Sequence, residues 1–201
     1  IECADGDARA GILETSHGQL KTPFFMPVAT QGSVKSIDPG DLEMIGSKII
    51  LGNAYHLYLR PGADVVSKLG GLHEFMSWDG PILTDSGGYQ GFSLRSLRKI
   101  DENGITFRSH IDGSTHFLSP EKIIEVQGKL GSDIMMPLDV CSSLHEEEET
   151  VRLGIKRTAE WLQRSLDYKE NSDQMLFGII QGGISKELRK ESSEITTSFD
   201  M

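Results

Sequence analysis

Four polar side chains follow short apolar runs in this chain of 201 residues. They are Asn53, Asp85, Asp139 and Gln181, and each comes after a segment with the composition of a buried strand. Because the carboxyl ends of parallel strands meet at one edge of a sheet, we expect the four to share one site. A carboxylate accepts two parallel N–H donors and an amide offers one donor and one acceptor, so the set suits the edge of a purine-like base. The alternative for any one of them is a helix cap.

The segment around Asp85 has the form of a ligand-binding turn. Residues 83–90 read LTDSGGYQ, in which the strand ends at Asp85 and the side chains disappear at Gly87 and Gly88. Paired glycines let the backbone approach a ligand closely or adopt a positive φ. Tyr89 offers a ring that can stack on a flat ligand. Two other interpretations stay open: a plain turn with Asp85 as a helix cap, and a Tyr89 that packs in the core.

Apolar segments alternate with helical patterns along most of the chain. Helix starts are indicated at Asp38-Pro39 and Ser119-Pro120, where the first residue caps the helix and proline occupies its first turn. The alternation of strands and helices predicts an α/β fold of parallel βα units. A complete (β/α)8 barrel needs roughly 250 residues, so four units predict the N-terminal part of a TIM-type barrel. The predicted strands cover residues 48–51, 82–85, 134–138 and 175–180.

Two other segments have the pattern of antiparallel strands. Residues 1–30 contain short runs separated by glycine turns, and they predict an antiparallel N-terminal sheet that includes residues 24–29. Residues 99–118 alternate and turn at Asn103-Gly104 and at Asp112-Gly113, which are strong hairpin signals. We therefore expect a single domain over residues 1–201, with an inserted hairpin region projecting from its main body.

Composition excludes several classes of protein. With 37% hydrophobic and 25% charged residues, the chain has the composition of a soluble globular protein. No apolar run approaches the roughly 20 residues that span a bilayer. Cys3 and Cys141 are too few for a disulfide framework, so we expect a cytoplasmic location. The net charge of −10 argues against a broad nucleic-acid surface. No zinc-type spacing, dinucleotide fingerprint or nucleophile elbow occurs, so we expect no metal ligands in this chain.

Six sequence motifs occur in order along the chain. They are residues 84–90 (TDSGGYQ), 107–113 (FRSHIDG), 131–136 (GSDIMM) and 177–183 (FGIIQGG), with 23–28 (PFFMPV) and 53–57 (NAYHL). Together they resemble the tRNA-guanine transglycosylase (queuine tRNA-ribosyltransferase) family, and the resemblance extends over nearly the whole chain. It implies a modified TIM barrel that replaces guanine at the tRNA wobble position with a 7-deazaguanine base, through a covalent ribosyl-enzyme intermediate.

The resemblance also implies the role of the glycine-containing segment. Asp85 is similar to the family's proton-transferring Asp, which helps to deprotonate the incoming base. Ser86, Gly87, Gly88 and Tyr89 belong to the same base-binding loop, in which Tyr89 stacks on the base.

The other site residues are assigned in the same way. Asp139 resembles the Asp that holds the N1–H and 2-amino edge, and Gln181 resembles the amide that contacts the six-position oxygen. Asn53 is similar to a supporting polar residue, and Cys141 to a pocket cysteine. Val140 stands where the family usually has an acid, so the incoming base stays open between the aminomethyl precursor and queuine.

The remaining parts of such an enzyme would follow residue 201. The resemblance implies a nucleophilic Asp, tRNA-contacting loops and a structural zinc with its Cys/His ligands there, and a homodimer when full length. We therefore expect the 201-residue chain alone to be inactive. Two alternatives are a non-catalytic tRNA-binding partner subunit, which would not need Asp85, Asp139 and Gln181 together, and an unrelated metal-dependent barrel hydrolase, which would carry metal ligands at its strand ends.

Overall fold

A computed structural model describes residues 1–88, 98–143, 145–169 and 173–201. The strands are β1 (Cys3–Asp5), β2 (Ala8–Thr15), β3 (Gly18–Thr22), β4 (Val28–Ala29), β5 (Ile50–Asn53), β6 (Ile82–Asp85), β7 (Arg98–Ile100), β8 (Ile105–Arg108), β9 (Thr115–Leu118), β10 (Ile134–Met135) and β11 (Met175–Leu176). The helices within these ranges are α1 (Pro39–Met44), α2 (Ala54–Leu59), α3 (Ala63–Lys68), α4 (Leu72–Met76), α5 (Pro120–Leu130), α6 (Glu148–Tyr168) and α7 (Lys186–Thr196).

A parallel sheet forms the centre of the molecule. Its five strands run in the order β11–β10–β6–β5–β4, so each strand lies beside its predecessor among the parallel strands of the chain. At least one helix lies between every two consecutive parallel strands. The predicted alternation of parallel βα units is therefore confirmed. Of the helices in the described ranges, none is both long enough and apolar enough to cross a bilayer.

The N-terminal segment contributes to two sheets, not one. Strands β1, β2 and β3 form the expected antiparallel sheet. Strand β4, however, pairs in parallel with β5, and Leu51 N–H donates to the carbonyl of Pro27 at 2.9 Å. The prediction that residues 24–29 belong to the antiparallel sheet is wrong for the two residues of β4, and the described residues contain five parallel strands rather than four. A two-residue strand has no detectable period, so only its tertiary pairing identifies it.

Strands β10 and β11 are shorter than predicted, and each has only two residues. The side chain of Gln127 explains why β10 stops. Its Oε1 accepts the N–H of Met136 at 2.9 Å, and its Nε2 donates to the carbonyl of Met136 at 2.8 Å. Pro137 then offers no N–H for a further ladder bond. Asp139 therefore lies on a loop beyond β10 and not at its last residue. Gln181 likewise lies on a loop, beyond β11.

The helix starts agree with the capping signals. The Asp38 carboxylate accepts the Asp41 N–H at 2.9 Å, and Ser119 Oγ accepts the Lys122 N–H at 3.1 Å. Helix α5 ends at Gly131, whose φ of 73° is in the left-handed region that favours glycine. Both predicted proline-initiated helices are therefore confirmed.

The inserted segment forms a separate antiparallel sheet of β7, β8 and β9. It lies where the alternating pattern indicates hairpins, with Ile100 opposite Ile105 and Arg108 opposite Thr115 at the two turns. The buried Trp161 of α6 donates its indole N–H to the carbonyl of Glu102 at 2.9 Å. This contact fixes the first turn of the inserted sheet against the helical layer.

A buried carboxylate joins the N-terminal sheet to the amino ends of the parallel strands. Asp133 is 3% exposed and accepts the backbone N–H groups of His17 at 3.2 Å and Ile82 at 2.8 Å. The rings of His17 and His73 also contact its two oxygens, at 2.8 and 3.1 Å. Burial alone would raise the pKa of Asp133, but the hydrogen bonds from His73, His17 and Ile82 lower it to about 2.

We expect Asp133→Asn to lower the free energy of unfolding at pH 7 by about 2 kcal/mol. A lowered pKa stabilises the folded chain above the ordinary aspartate pKa of about 3.9, and this stabilisation is lost as the pH falls through about 2. Urea titrations of the wild type and the variant between pH 2 and pH 7 measure the difference. Asp79→Asn, at an exposed aspartate, is the control. Equal stability of the two variants at pH 7 would contradict the assignment.

Candidate active site

Asp85 and Asn53 lie side by side at the carboxyl end of the parallel sheet. Both are the last residues of their strands, and the register pairs them directly. One oxygen of Asp85 accepts the Ala54 N–H at 2.9 Å, and the other accepts a hydrogen bond from the Asn53 amide. Asp85 remains partly exposed whereas Asn53 is buried. The neighbouring strand therefore orients the carboxylate and leaves it accessible.

The turn after Asp85 needs both of its glycines. Gly87 has a φ of 80°, which L side chains rarely adopt, and a Cβ there would lie 2.9 Å from Cβ of Tyr55. A Cβ on Gly88 would lie 1.9 Å from Oδ1 of Asp139, which is not physically possible. The sequence predicts a close approach to a ligand or a positive φ at this turn, and the structure shows the positive φ at Gly87 and a close approach of Gly88 to another part of the chain. The partner in the structure is the Asp139 carboxylate.

Asp139 is 6% exposed and accepts hydrogen bonds only from uncharged groups among the described residues. Its Oδ1 accepts from the Ser86 hydroxyl at 3.2 Å. Its Oδ2 accepts from the Gln181 amide at 2.7 Å and from the Cys141 thiol at 3.3 Å. Burial raises the pKa of Asp139, and the hydrogen bonds from Cys141, Ser86 and Gln181 oppose this rise only in part. A buried carboxylate whose pKa is raised is a signature of functional sites.

Helix α7 positions the loop that carries Gln181. The backbone N–H of Gln181 donates to the hydroxyl of Ser192 at 2.9 Å. A Cβ on the next residue, Gly182, would lie 2.6 Å from the backbone nitrogen of Arg189. The loop therefore lies directly against the helix, and this packing brings the Gln181 side chain to Asp139.

The structure brings seven of the nine predicted site residues together at one end of the sheet, in two hydrogen-bonded groups that the peptide bond between Asp85 and Ser86 joins. Ser86 links the two carboxylates, because its backbone follows Asp85 and its hydroxyl donates to Asp139. Gly87 provides the turn, and Tyr89 lies outside the described residues. The seven residues are Asn53, Asp85, Ser86, Gly88, Asp139, Cys141 and Gln181.

A group of metal-type side chains lies at the opposite end of the sheet. His17, His73 and Asp133 place three possible ligand atoms within 4.8 Å of one another. Sequence spacing did not indicate this group, because the two histidines are 116 and 60 residues from Asp133. The two rings stack at 3.6 Å with only 15° between their planes. Their nitrogen atoms therefore point side by side at one carboxylate. This geometry fits two hydrogen bonds better than a tetrahedral metal site.

We expect Asp139→Asn to increase stability at pH 7 by about 1 kcal/mol or more, at the expense of any function of the site. A raised pKa means that folding favours the protonated acid. The stabilisation by protonated Asp139 is complete below about pH 3.9, the ordinary aspartate pKa. It is lost as the pH rises through the pKa of Asp139 in the folded protein. The difference between variant and wild type should therefore shrink toward pH 3 in urea titrations. A variant less stable than the wild type at pH 7 would contradict this interpretation.

Comparison with known proteins agrees with the motifs. A family model described as queuine tRNA-ribosyltransferase matches residues 3–201. The queuine tRNA-ribosyltransferase of Dictyoglomus turgidum is 55% identical over 197 residues, which cover 96% of this chain and 51% of that protein. The one of Herpetosiphon aurantiacus is 52% identical over 201 residues, 100% of this chain and 51% of that protein. The chain thus spans about half the length of the curated relatives it matches. Given a match over nearly every residue, the chain belongs to the queuine tRNA-ribosyltransferase family.

Proposed function

We propose that this chain carries the base-binding part of a tRNA-guanine transglycosylase, which exchanges guanine at the tRNA wobble position for a 7-deazaguanine base. Family membership supports the reaction class. The observation that carries the proposal is the buried Asp139 carboxylate, held only by uncharged donors among the described residues and joined to Asp85 through Ser86. One carboxylate is suited to grip a base and the other to move a proton.

Asp139 is the proposed acceptor for the base. Guanine and its 7-deaza analogues present adjacent N1–H and 2-amino groups, which are uncharged hydrogen-bond donors. The Ser86, Cys141 and Gln181 side chains, which now donate to the Asp139 carboxylate, are uncharged donors as well. The bound base would take over these positions on Asp139. The Gln181 amide, 2.7 Å from Asp139, would then be free to donate to the six-position oxygen of the base. Tyr89 would stack on the ring.

Asp85 is the proposed general base. In the first half of the reaction a carboxylate attacks the anomeric carbon of the ribose, guanine leaves with a proton from Asp85 on its ring nitrogen, and a covalent ribosyl-enzyme forms. Asp85 then removes the proton from the ring nitrogen of the incoming base, which attacks the anomeric carbon and releases the enzyme carboxylate. The hydrogen bonds from Ala54 and Asn53 hold Asp85 in one orientation for this transfer.

The fold that this function needs is a closed barrel. Five consecutive parallel strands, each beside its predecessor, support the N-terminal part of a (β/α)8 TIM-type barrel with β4 and β11 at its two edges. Residues 1–201 would form one domain, in which residues 1–30 supply an N-terminal sheet and residues 99–118 an insertion. Further strands would join the two edges.

The proposal extends to the partners and the metal. The substrates are tRNA and a free 7-deazaguanine base, the location is cytoplasmic, and the full-length enzyme is a homodimer. By resemblance to the family, the proposal includes a structural zinc, for which no Cys/His group in the described ranges has the geometry. The metal-type group that does exist lies away from the strand ends with Asp85, which argues against a metal-dependent hydrolase.

We expect Asp85→Asn in the full-length protein to fold normally and to exchange labelled guanine about 10² to 10⁴ times more slowly, since general base catalysis contributes about that factor. The comparison is the rate of guanine exchange into tRNA, with the circular dichroism spectrum as a check on folding. Asp79→Asn serves as the control at an exposed position. If the Asp85 variant exchanged guanine at the rate of the wild type, Asp85 would not be the base.

A further inference from the structure

Helix α2 is attached to the inserted sheet by two tyrosine–histidine pairs. Tyr55 and Tyr58 lie three residues apart, so they share one face of the helix. The Tyr55 hydroxyl is 3.1 Å from Nδ1 of His110, which follows β8. The Tyr58 hydroxyl is 3.2 Å from Nδ1 of His116 in β9. The two pairs are chemically alike, and they differ in what else each tyrosine contacts.

The Tyr58 pair leads away from the candidate active site. The Ser114 hydroxyl donates its single proton to the Asp112 carboxylate at 2.7 Å. Nε2 of His116 lies 2.7 Å from the Ser114 Oγ, so this nitrogen must be the donor to Ser114. In the neutral ring with its proton on Nε2, Nδ1 of His116 accepts the Tyr58 proton. This chain of hydrogen bonds ends at the exposed Asp112, whose pKa is lowered to about 2 by its bonds to the Ser114 and Ser109 side chains.

The Tyr55 pair leads to the Asp85 turn. Tyr55 directly follows Ala54, whose N–H donates to Asp85 at 2.9 Å. The backbone of Gly87 lies against Tyr55 so closely that a Cβ there would be 2.9 Å from the tyrosine Cβ. Tyr55 is only 2% exposed, and its ring contacts Phe107 of β8 with 5.1 Å between centroids. Tyr55 therefore contacts both the inserted sheet and the Asp85 turn.

We propose that Tyr55 and His110 are positioning residues through which the inserted sheet holds the Asp85 turn in its working geometry. The pair contacts no reacting atom and acts through Ala54 and Gly87. Tyr58 and His116 fasten the same sheet without reaching Asp85, and they provide a matched control. The kinetic part of the inference rests on the proposed function, whereas the geometric part does not.

The test compares Tyr55→Phe with Tyr58→Phe in the full-length protein. Each change removes one hydroxyl from one tyrosine–histidine pair, so both should lower the melting temperature to a similar extent. Only Tyr55→Phe should lower kcat for guanine exchange, by about three- to tenfold, which corresponds to the loss of one ordinary hydrogen bond. KM for tRNA should stay unchanged in both. His110→Ala should lower kcat as Tyr55→Phe does, and the double variant should lose no more than either.

Amide hydrogen exchange gives a second readout that does not depend on catalysis. The Ala54 amide, which donates to Asp85, should exchange about threefold faster in Tyr55→Phe than in Tyr58→Phe or the wild type. Equal kcat values and equal Ala54 exchange in the two variants would overturn the inference. If the wild type exchanged no guanine, the proposed function would fail, and the Ala54 exchange rates would still decide the role of Tyr55.

Discussion

The candidate site contains one buried carboxylate, Asp139, that has no cation beside it among the described residues. Asp139 accepts hydrogen bonds from a hydroxyl, a thiol and an amide in the described part of the chain, and its pKa is raised. Asp133, only six residues earlier, is equally buried, but it accepts two backbone N–H groups and contacts two histidine rings, and its pKa is lowered to about 2. The same side chain therefore stabilises the fold at one end of the sheet and costs stability at the other. Under the proposed function, the bound base would take the place of these uncharged donors on Asp139.

The parallel sheet makes this contrast possible. Its strands are short, and buried polar side chains end them at defined residues. The Thr84 hydroxyl donates to the Gln127 amide oxygen at 2.9 Å, and the same amide pairs with the backbone of Met136. Strand β10 therefore ends before Met136, and the loop that carries Asp139 begins. A longer β10 would keep Asp139 in the ladder and away from Ser86. Secondary structure thus stops where the site requires an irregular backbone.

Sequence patterns predict which residues lie close together more successfully than they predict the contacts that hold those residues in place. The parallel-strand rule indicates that Asn53, Asp85, Asp139 and Gln181 lie at one edge, and the structure brings them together. The prediction that Asp139 and Gln181 are the last residues of strands is wrong. For Asp139 the reason is the side chain of Gln127, which is 9 residues from Met136 in sequence and replaces the ladder there. The contacts of Tyr55 with Gly87 and His110 leave no local pattern, since they join segments that only tertiary packing brings together.

The order of the strands has a consequence for biosynthesis. Since each parallel strand pairs with the one made before it, the sheet can grow strand by strand as the polypeptide leaves the ribosome. The contact between His17 and Asp133 spans 116 residues, so it cannot form until the fourth parallel strand is being made. The β2–β3 hairpin, whose turn carries His17, therefore lacks this contact through more than half of the translation of this segment, although its Leu20 can already pack against Ile49 and Leu83.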